Sequence, residues 1–195
     1  MAPVLPDLVV DDAAGLRRWL TDHHGQDTGV WLVLAKKGTT TPTSLRYDQA
    51  VLEALCFGWI DGQSMRRDEA TFAIRFTPRR SRSIWSQRNV ELVGGLVERG
   101  LMQPSGLAEV ERAKADGRWA AAYAGPATIE MPADLAAALA ANPAAQALFD
   151  TLSSQNRYAV LFRVGGAKRA DTRARRIEQF VAQLARGETV YPQKR

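Results

Sequence analysis

The chain contains one cysteine, Cys56, and only two histidines, the neighbours His23 and His24. A single thiol excludes an intramolecular disulfide and points to no oxidising compartment. The histidine pair has no cysteine near it and only Asp22 and Asp27 beside it, so zinc-ligand spacing is missing and neither a metal nor a cofactor is expected. No stretch approaches the roughly 18 apolar residues that a membrane span needs, and Met1 to Asp7 has neither a positive n-region nor an apolar core. A cytoplasmic protein without membrane span or export signal is the expectation. Repeats of fixed period and low-complexity tracts are also lacking. Gly165-Gly166-Ala167-Lys168 carries a Gly-Lys element without the spacing of a P-loop.

What is present is the balance of a folded protein, with 46% hydrophobic and 24% charged residues. A length of 195 residues suits one core with a smaller helical appendage. A formal charge of +5 and a pI near 9.7 favour anionic partners, although a GC-rich genome gives the same arginine excess.

Asp11 to Asp22 predicts a helix with Leu16, Trp19 and Leu20 on one side and Asp11 or Asp12 as N-cap. Val30-Trp31-Leu32-Val33-Leu34-Ala35 is β-branched, aromatic and short, as a central strand is. Gly38 to Ser44 reads as a loop, and Tyr47 to Phe57 as a helix ended by Gly58. Trp59 to Gly62 and Thr71 to Phe76 flank a polar turn and predict a hairpin whose second strand is half buried. Helical spacing returns from Ser86 and again from Pro104 to Asp116. Beyond a soft boundary at Gly117 to Gly125, an alanine-rich stretch punctuated by prolines leads into two further helical patterns, and Glu188 to Arg195 reads as a frayed tail. The fold class expected is α+β, a small and mainly antiparallel sheet with packed helices over 1–120, followed by an all-helical region over 121–195 packed on it.

No residue set justifies a catalytic assignment. Cys56 sits among Ala54, Leu55 and Phe57 with no histidine adjacent in sequence, the setting of a buried structural thiol. The informative stretch runs from Cys56 to Asn89, where Arg75, Arg79, Arg80, Arg82 and Arg88 surround a strand end, a proline-containing loop and the start of a helix at Ser86. Guanidinium groups beside helix-start amides form a natural anion site. Trp59 and Trp85 offer a stacking wall, and Asp61 offers either an acceptor for a ligand or a partner for Arg75. Against this stands the plainer assignment, in which the arginines form a solvated face, the tryptophans belong to the core and Asp61 shapes a turn. A second basic cluster, Arg163, Lys168, Arg169, Arg173, Arg175 and Arg176, precedes or begins the last helix. A step of about 100° per residue puts Arg173 on that helix's apolar stripe, where it must be paired by a buried carboxylate or a helix C-terminus.

Three segments carry a family resemblance: Val30-Trp31-Leu32 with Lys36-Lys37; Tyr47 followed by Glu53-Ala54-Leu55-Cys56-Phe57-Gly58-Trp59-Ile60-Asp61-Gly62; and Arg75-Phe76-Thr77-Pro78-Arg79-Arg80 leading to Ser83-Ile84-Trp85-Ser86 and Asn89. With Ala167-Lys168, Thr172-Arg173 and Arg176-Ile177, the chain resembles the YdeI/OmpD-associated family, also called bacteriocin-protection proteins, over nearly its whole length. That family is named for links to bacteriocin tolerance and to an outer-membrane porin, and no reaction is assigned to it. The resemblance implies that Trp59, Asp61, Arg75, Arg79, Trp85, Ser86 and Asn89 belong together, with Arg80 beside Arg79. The expectation is a stress or antimicrobial-tolerance protein that binds an anionic small molecule or partner in a Trp/Arg-lined pocket. Two other readings stay open, a nucleic-acid-binding module that uses both basic clusters and an enzyme with Asp61 as general acid or base.

Overall fold

A computed structural model describes residues 5–193; the export reading of Met1 to Val4 and the last two residues of the expected tail lie outside them. The chain divides between Ala122 and Tyr123 into two compact units.

The first unit is an α+β assembly. It contains β1 (Asp7–Leu8), α1 (Ala13–His23), β2 (Val30–Ala35), α2 (Tyr47–Cys56), β3 (Trp59–Arg66), β4 (Thr71–Pro78), α3 (Gln87–Glu98) and α4 (Pro104–Ala115). The sheet order is β1-β2-β4-β3, with β1 parallel to β2 and the other two pairs antiparallel. β2 is central, which explains why its apolar run is continuous rather than alternating. β1 has two residues and escapes any periodicity argument; it ends by donating nothing to a pattern that a sequence window could detect.

Alternation along β4 sorts the two faces of the sheet. Ile74 and Phe76 join Leu32, Leu34 and Trp59 in one core with α1 to α4, while Arg75 projects on the opposite face beside Trp31, its cross-strand partner. Trp59 and Trp85 are 1% and 2% exposed and are the largest side chains in this core. Burying each removes ~200 Å2 from water and contributes up to about 5 kcal/mol.

Two glycines set how closely α2 and α4 approach. Gly58 ends α2 in the left-handed region at φ +79°, which a side chain would strain. Gly106 lies on α4 directly against the Cys56 carbonyl, so that a Cβ there would collide with it. The Gln103 backbone N–H donates to the same carbonyl at 2.9 Å, tying the start of α4 to the end of α2.

The second unit is helical: α5 (Ala133–Ala140), α6 (Pro143–Asp150), α7 (Ser154–Gly165) and α8 (Ala170–Ala185). Two of the prolines that break the alanine-rich stretch mark helix starts, Pro132 as the N-cap of α5 and Pro143 in the first turn of α6, while Pro126 lies in a turn. The core consists of Leu135, Leu139, Phe149, Val160, Val164 and the α8 stripe Ile177, Phe180 and Leu184. Arg173 is paired as its position on that stripe requires. It makes a fork with Asp134 at 2.5 and 2.7 Å and donates to the Val164 carbonyl near the end of α7 at 3.2 Å, but the carboxylate it meets is half exposed rather than buried.

The expected frayed tail is a correction. Buried Asn156 donates to the Tyr191 carbonyl at 3.0 Å and to Gln193 Oε1 at 2.8 Å, and it accepts from the Tyr191 backbone at 2.7 Å, so the segment to Gln193 is fastened to α7. A side chain thirty-five residues away does the fastening, and no local signal announces it.

Candidate functional site

The two motifs around the hairpin converge. Trp59 pairs with Pro78, and the Arg79 backbone N–H donates to the Gly58 carbonyl at 2.9 Å, so the end of α2, the start of β3 and the end of β4 meet at one corner. From this corner the loop 79–86 runs to α3.

Arg79 turns inward. It is 4% exposed, its guanidinium carbon lies 3.5 Å from the centroid of the Trp85 ring, and Nη1 donates to the Ile84 carbonyl at 3.2 Å. Trp85 in turn meets Trp119 edge to face at 4.8 Å. A second guanidinium supports the next peptide: Arg118, held by Asp116 at 2.8 Å, donates to the Ser83 carbonyl at 2.7 Å. The loop closes on itself as the Arg80 N–H donates to Ser83 Oγ at 2.9 Å and the Ser83 N–H to the Arg80 carbonyl at 2.8 Å. Two inward cations thus fix carbonyls of a loop whose outward side chains are Arg80, Arg82 and Ile84, the last 53% exposed. Ser86 caps α3 by accepting from the Asn89 N–H at 3.1 Å. No acidic residue stands in the first turn of α3, where Arg88 is exposed instead, against the sign that the helix dipole favours.

Trp59 and Trp85 are core residues and form no open wall. Trp59 Nε1 donates to the His24 carbonyl at 3.0 Å and its ring meets Trp19 edge to face. Trp59, Asp61 and Asn89 line one crevice beside α2, too narrow for a water molecule. Asp61 lies within β3, not in a turn, and pairs with Phe76 in register; Arg75, one residue along β4, therefore points to the opposite face and is not its partner. Asp61 accepts instead from the Tyr47 hydroxyl at 2.7 Å. Burial first, then that bond, pushes the Tyr47 phenol up to about 12, while Arg88 near its ring pulls the other way.

Of the expected residues, the structure brings Arg79, Trp85, Ser86 and Arg80 into one loop and places Asp61 and Asn89 in the neighbouring crevice. Arg75 stands apart on the other face of the sheet. Arg118 and Trp119 contribute without being among the expected residues, and Tyr47, expected only as the start of a helix and as part of the resemblance, supplies the hydroxyl that Asp61 meets. The Gly117-Arg118-Trp119 run, an arginine and a tryptophan at the soft boundary, is the available signal for the first two. Cys56 is 1% exposed, and burial pushes its thiol up, the condition of an unreactive cysteine. Among the described residues no group of three His, Cys, Asp or Glu side chains converges on a metal position, and no helix is long and apolar enough to cross a membrane.

The family described as bacteriocin-protection, YdeI or OmpD-associated matches residues 128–187. A family described as a domain of unknown function, DUF8412, matches residues 8–109. The resemblance is thus confirmed in the second unit, while the Cys56–Gly62 and Arg75–Asn89 segments fall within the other match. No curated protein and no solved structure matches the chain. The chain belongs to the family of DUF8412 domains through residues 8–109, and it carries behind that domain a segment of the bacteriocin-protection, YdeI or OmpD-associated family.

Proposed function

We propose that the protein acts in the cytoplasm in tolerance to bacteriocins or related stress, by binding an anionic small molecule or partner at the loop 79–86 and the start of α3. The observation that carries this reading is the bracing of the loop by Arg79 and Arg118. Side chains held from beneath in this way present Arg80 and Arg82 at little entropic cost on binding. Arg88 adds a third cation where a helix start already favours anions. The buried tryptophans serve as the platform under the loop, and recognition falls to the arginines and to exposed Ile84.

The function rests on binding. Asp61 is engaged by Tyr47 in a crevice that admits no substrate, which leaves the enzyme reading without geometric support. A thermal-shift screen against phosphorylated metabolites, carboxylates, nucleotides and short oligonucleotides tests the proposal, because a ligand of the native state raises its apparent stability. The expected outcome is stabilisation by a class of small anions that is lost in Arg80→Ser/Arg82→Ser. Stabilisation by oligonucleotides alone, vanishing with moderate salt, would replace it with the nucleic-acid reading.

A further inference from the structure

The second unit holds a basic concavity that the reading above does not use. It lies along α8 beside the end of α7, has a volume of about 760 Å3 and is lined by Arg163, Arg176, Gln179, Gln183, Arg186 and Glu188, over a floor that includes Phe180. That volume falls in the range of roughly 300–1,000 Å3 typical of small-molecule sites.

The spacing on α8 gives the concavity an order. Arg176, Gln179, Gln183 and Arg186 fall within about 80° of one another around the axis, and the two arginines stand ~15 Å apart along it. A cation therefore marks each end of the stripe and two amides occupy the middle. Neither amide side chain makes a hydrogen bond among the described residues. Arg176 Nη1 donates to the Arg163 backbone carbonyl, and its other donors make no hydrogen bond among the described residues. Arg163 lies near the Tyr191 ring. Opposing these three arginines in the lining there is one carboxylate, Glu188, engaged by Arg186 at 2.9 and 3.0 Å.

We infer that this concavity is a second binding site, for an elongated small polyanion with phosphoryl or carboxylate groups at both ends and hydrogen-bonding atoms between them. The donors that Arg176 keeps beyond its bond to the Arg163 carbonyl take one charged end, the Arg186 fork takes the other in exchange for Glu188, the glutamine amides contact the middle, and Arg163 adds charge from the α7 side. The site does not depend on the loop 79–86.

The test uses the full chain titrated with inorganic tripolyphosphate at fixed ionic strength, followed by calorimetry. Gln183→Glu places a negative charge mid-stripe without removing an internal bond, and weakens binding roughly tenfold, a value between the water and surface limits for a unit-charge contact. Glu188→Gln removes the competing carboxylate and tightens binding. Both variants keep the wild-type unfolding temperature without ligand. Vesicles of phosphatidylserine and phosphatidylcholine leave the protein in the supernatant, because the ligand is a free anion rather than a lipid headgroup. The inference is overturned if tripolyphosphate does not bind, if neither variant changes its affinity, or if vesicles sediment the protein in a Gln183-dependent way. Binding abolished by Arg80→Ser/Arg82→Ser and indifferent to Gln183→Glu overturns it too, and leaves the loop site standing.

Discussion

The Arg79 guanidinium carbon lies over the Trp85 ring, 3.5 Å from its centroid, and the two side chains are both buried. A cation on an aromatic face away from water contributes more than the same pair on the surface, and the bond from Arg79 to the Ile84 carbonyl adds a charge-assisted link to the backbone. The pair converts a loop with little regular structure into a fixed support for Arg80 and Arg82.

Arg79→Ala is accordingly a stability variant and not a binding variant. It removes the stacked cation and its backbone bond, and is expected to cost about 3 kcal/mol in urea unfolding of the first unit. Arg79→Lys does not restore the loss, because an ammonium has no planar face to stack. An unfolding midpoint unchanged in Arg79→Ala would contradict this role.

Much of this arrangement was legible beforehand. The helix from Ala13, the strand Val30–Ala35, the hairpin and the helix start at Ser86 all follow from local pattern, since each is decided by neighbours a few residues away. Which arginines face outward was not. Arg79 and Arg80 are adjacent and chemically alike, and their opposite orientations are decided by Trp85 and the Gly58 carbonyl, contacts that no spacing rule encodes. For Asp61 the sequence leaves a ligand, Arg75 or a turn open, and it meets Tyr47 because its β4 partner is Phe76 and not the residue before it. Arg118 falls in the soft boundary at Gly117 to Gly125, where no periodicity assigns it a partner.

Tyr47 carries a pH signature. Its phenol is raised to about 12 in the folded state from an ordinary value of 10.0, so the folded protein holds the proton more tightly than the unfolded chain. Stability from this group is complete below pH 10 and declines as pH rises toward 12, because the unfolded chain then binds fewer protons. Spectrophotometric titration is expected to show a late-ionising tyrosine that Tyr47→Phe deletes. Tyr47→Phe also flattens the alkaline slope of stability, and an unaltered slope would count against a phenol held protonated by burial and the Asp61 bond.

Gly106→Ala probes the α2–α4 approach. The added methyl meets the Cys56 carbonyl, a backbone atom that cannot swing aside, and about 2 kcal/mol of destabilisation is expected in thermal or urea unfolding. Gly94→Ala on α3, where a Cβ meets nothing within 4 Å, is the control and is neutral or stabilising.

Asn156→Ala releases the tail. Removing the buried amide leaves the Tyr191 N–H without its partner, takes one of two donors from the Tyr191 carbonyl and frees Gln193, at about 2 kcal/mol. The segment after Gly187 is expected to become the first site of limited proteolysis in the variant and to resist it in the wild type. Equal cleavage of both proteins would show that the tail is not fastened.

The most direct measurement is calorimetric titration, with the small anion that most stabilises the wild type, of the wild type, Arg80→Glu/Arg82→Glu and a control, Arg175→Glu, on the exposed side of α8. If the braced loop is the anion site, reversal at Arg80 and Arg82 abolishes binding, the control binds like the wild type, and both variants unfold at the wild-type temperature without ligand. Binding that survives reversal at Arg80 and Arg82 and is equally untouched by Gln183→Glu, which weakens the α8 concavity, would contradict the account.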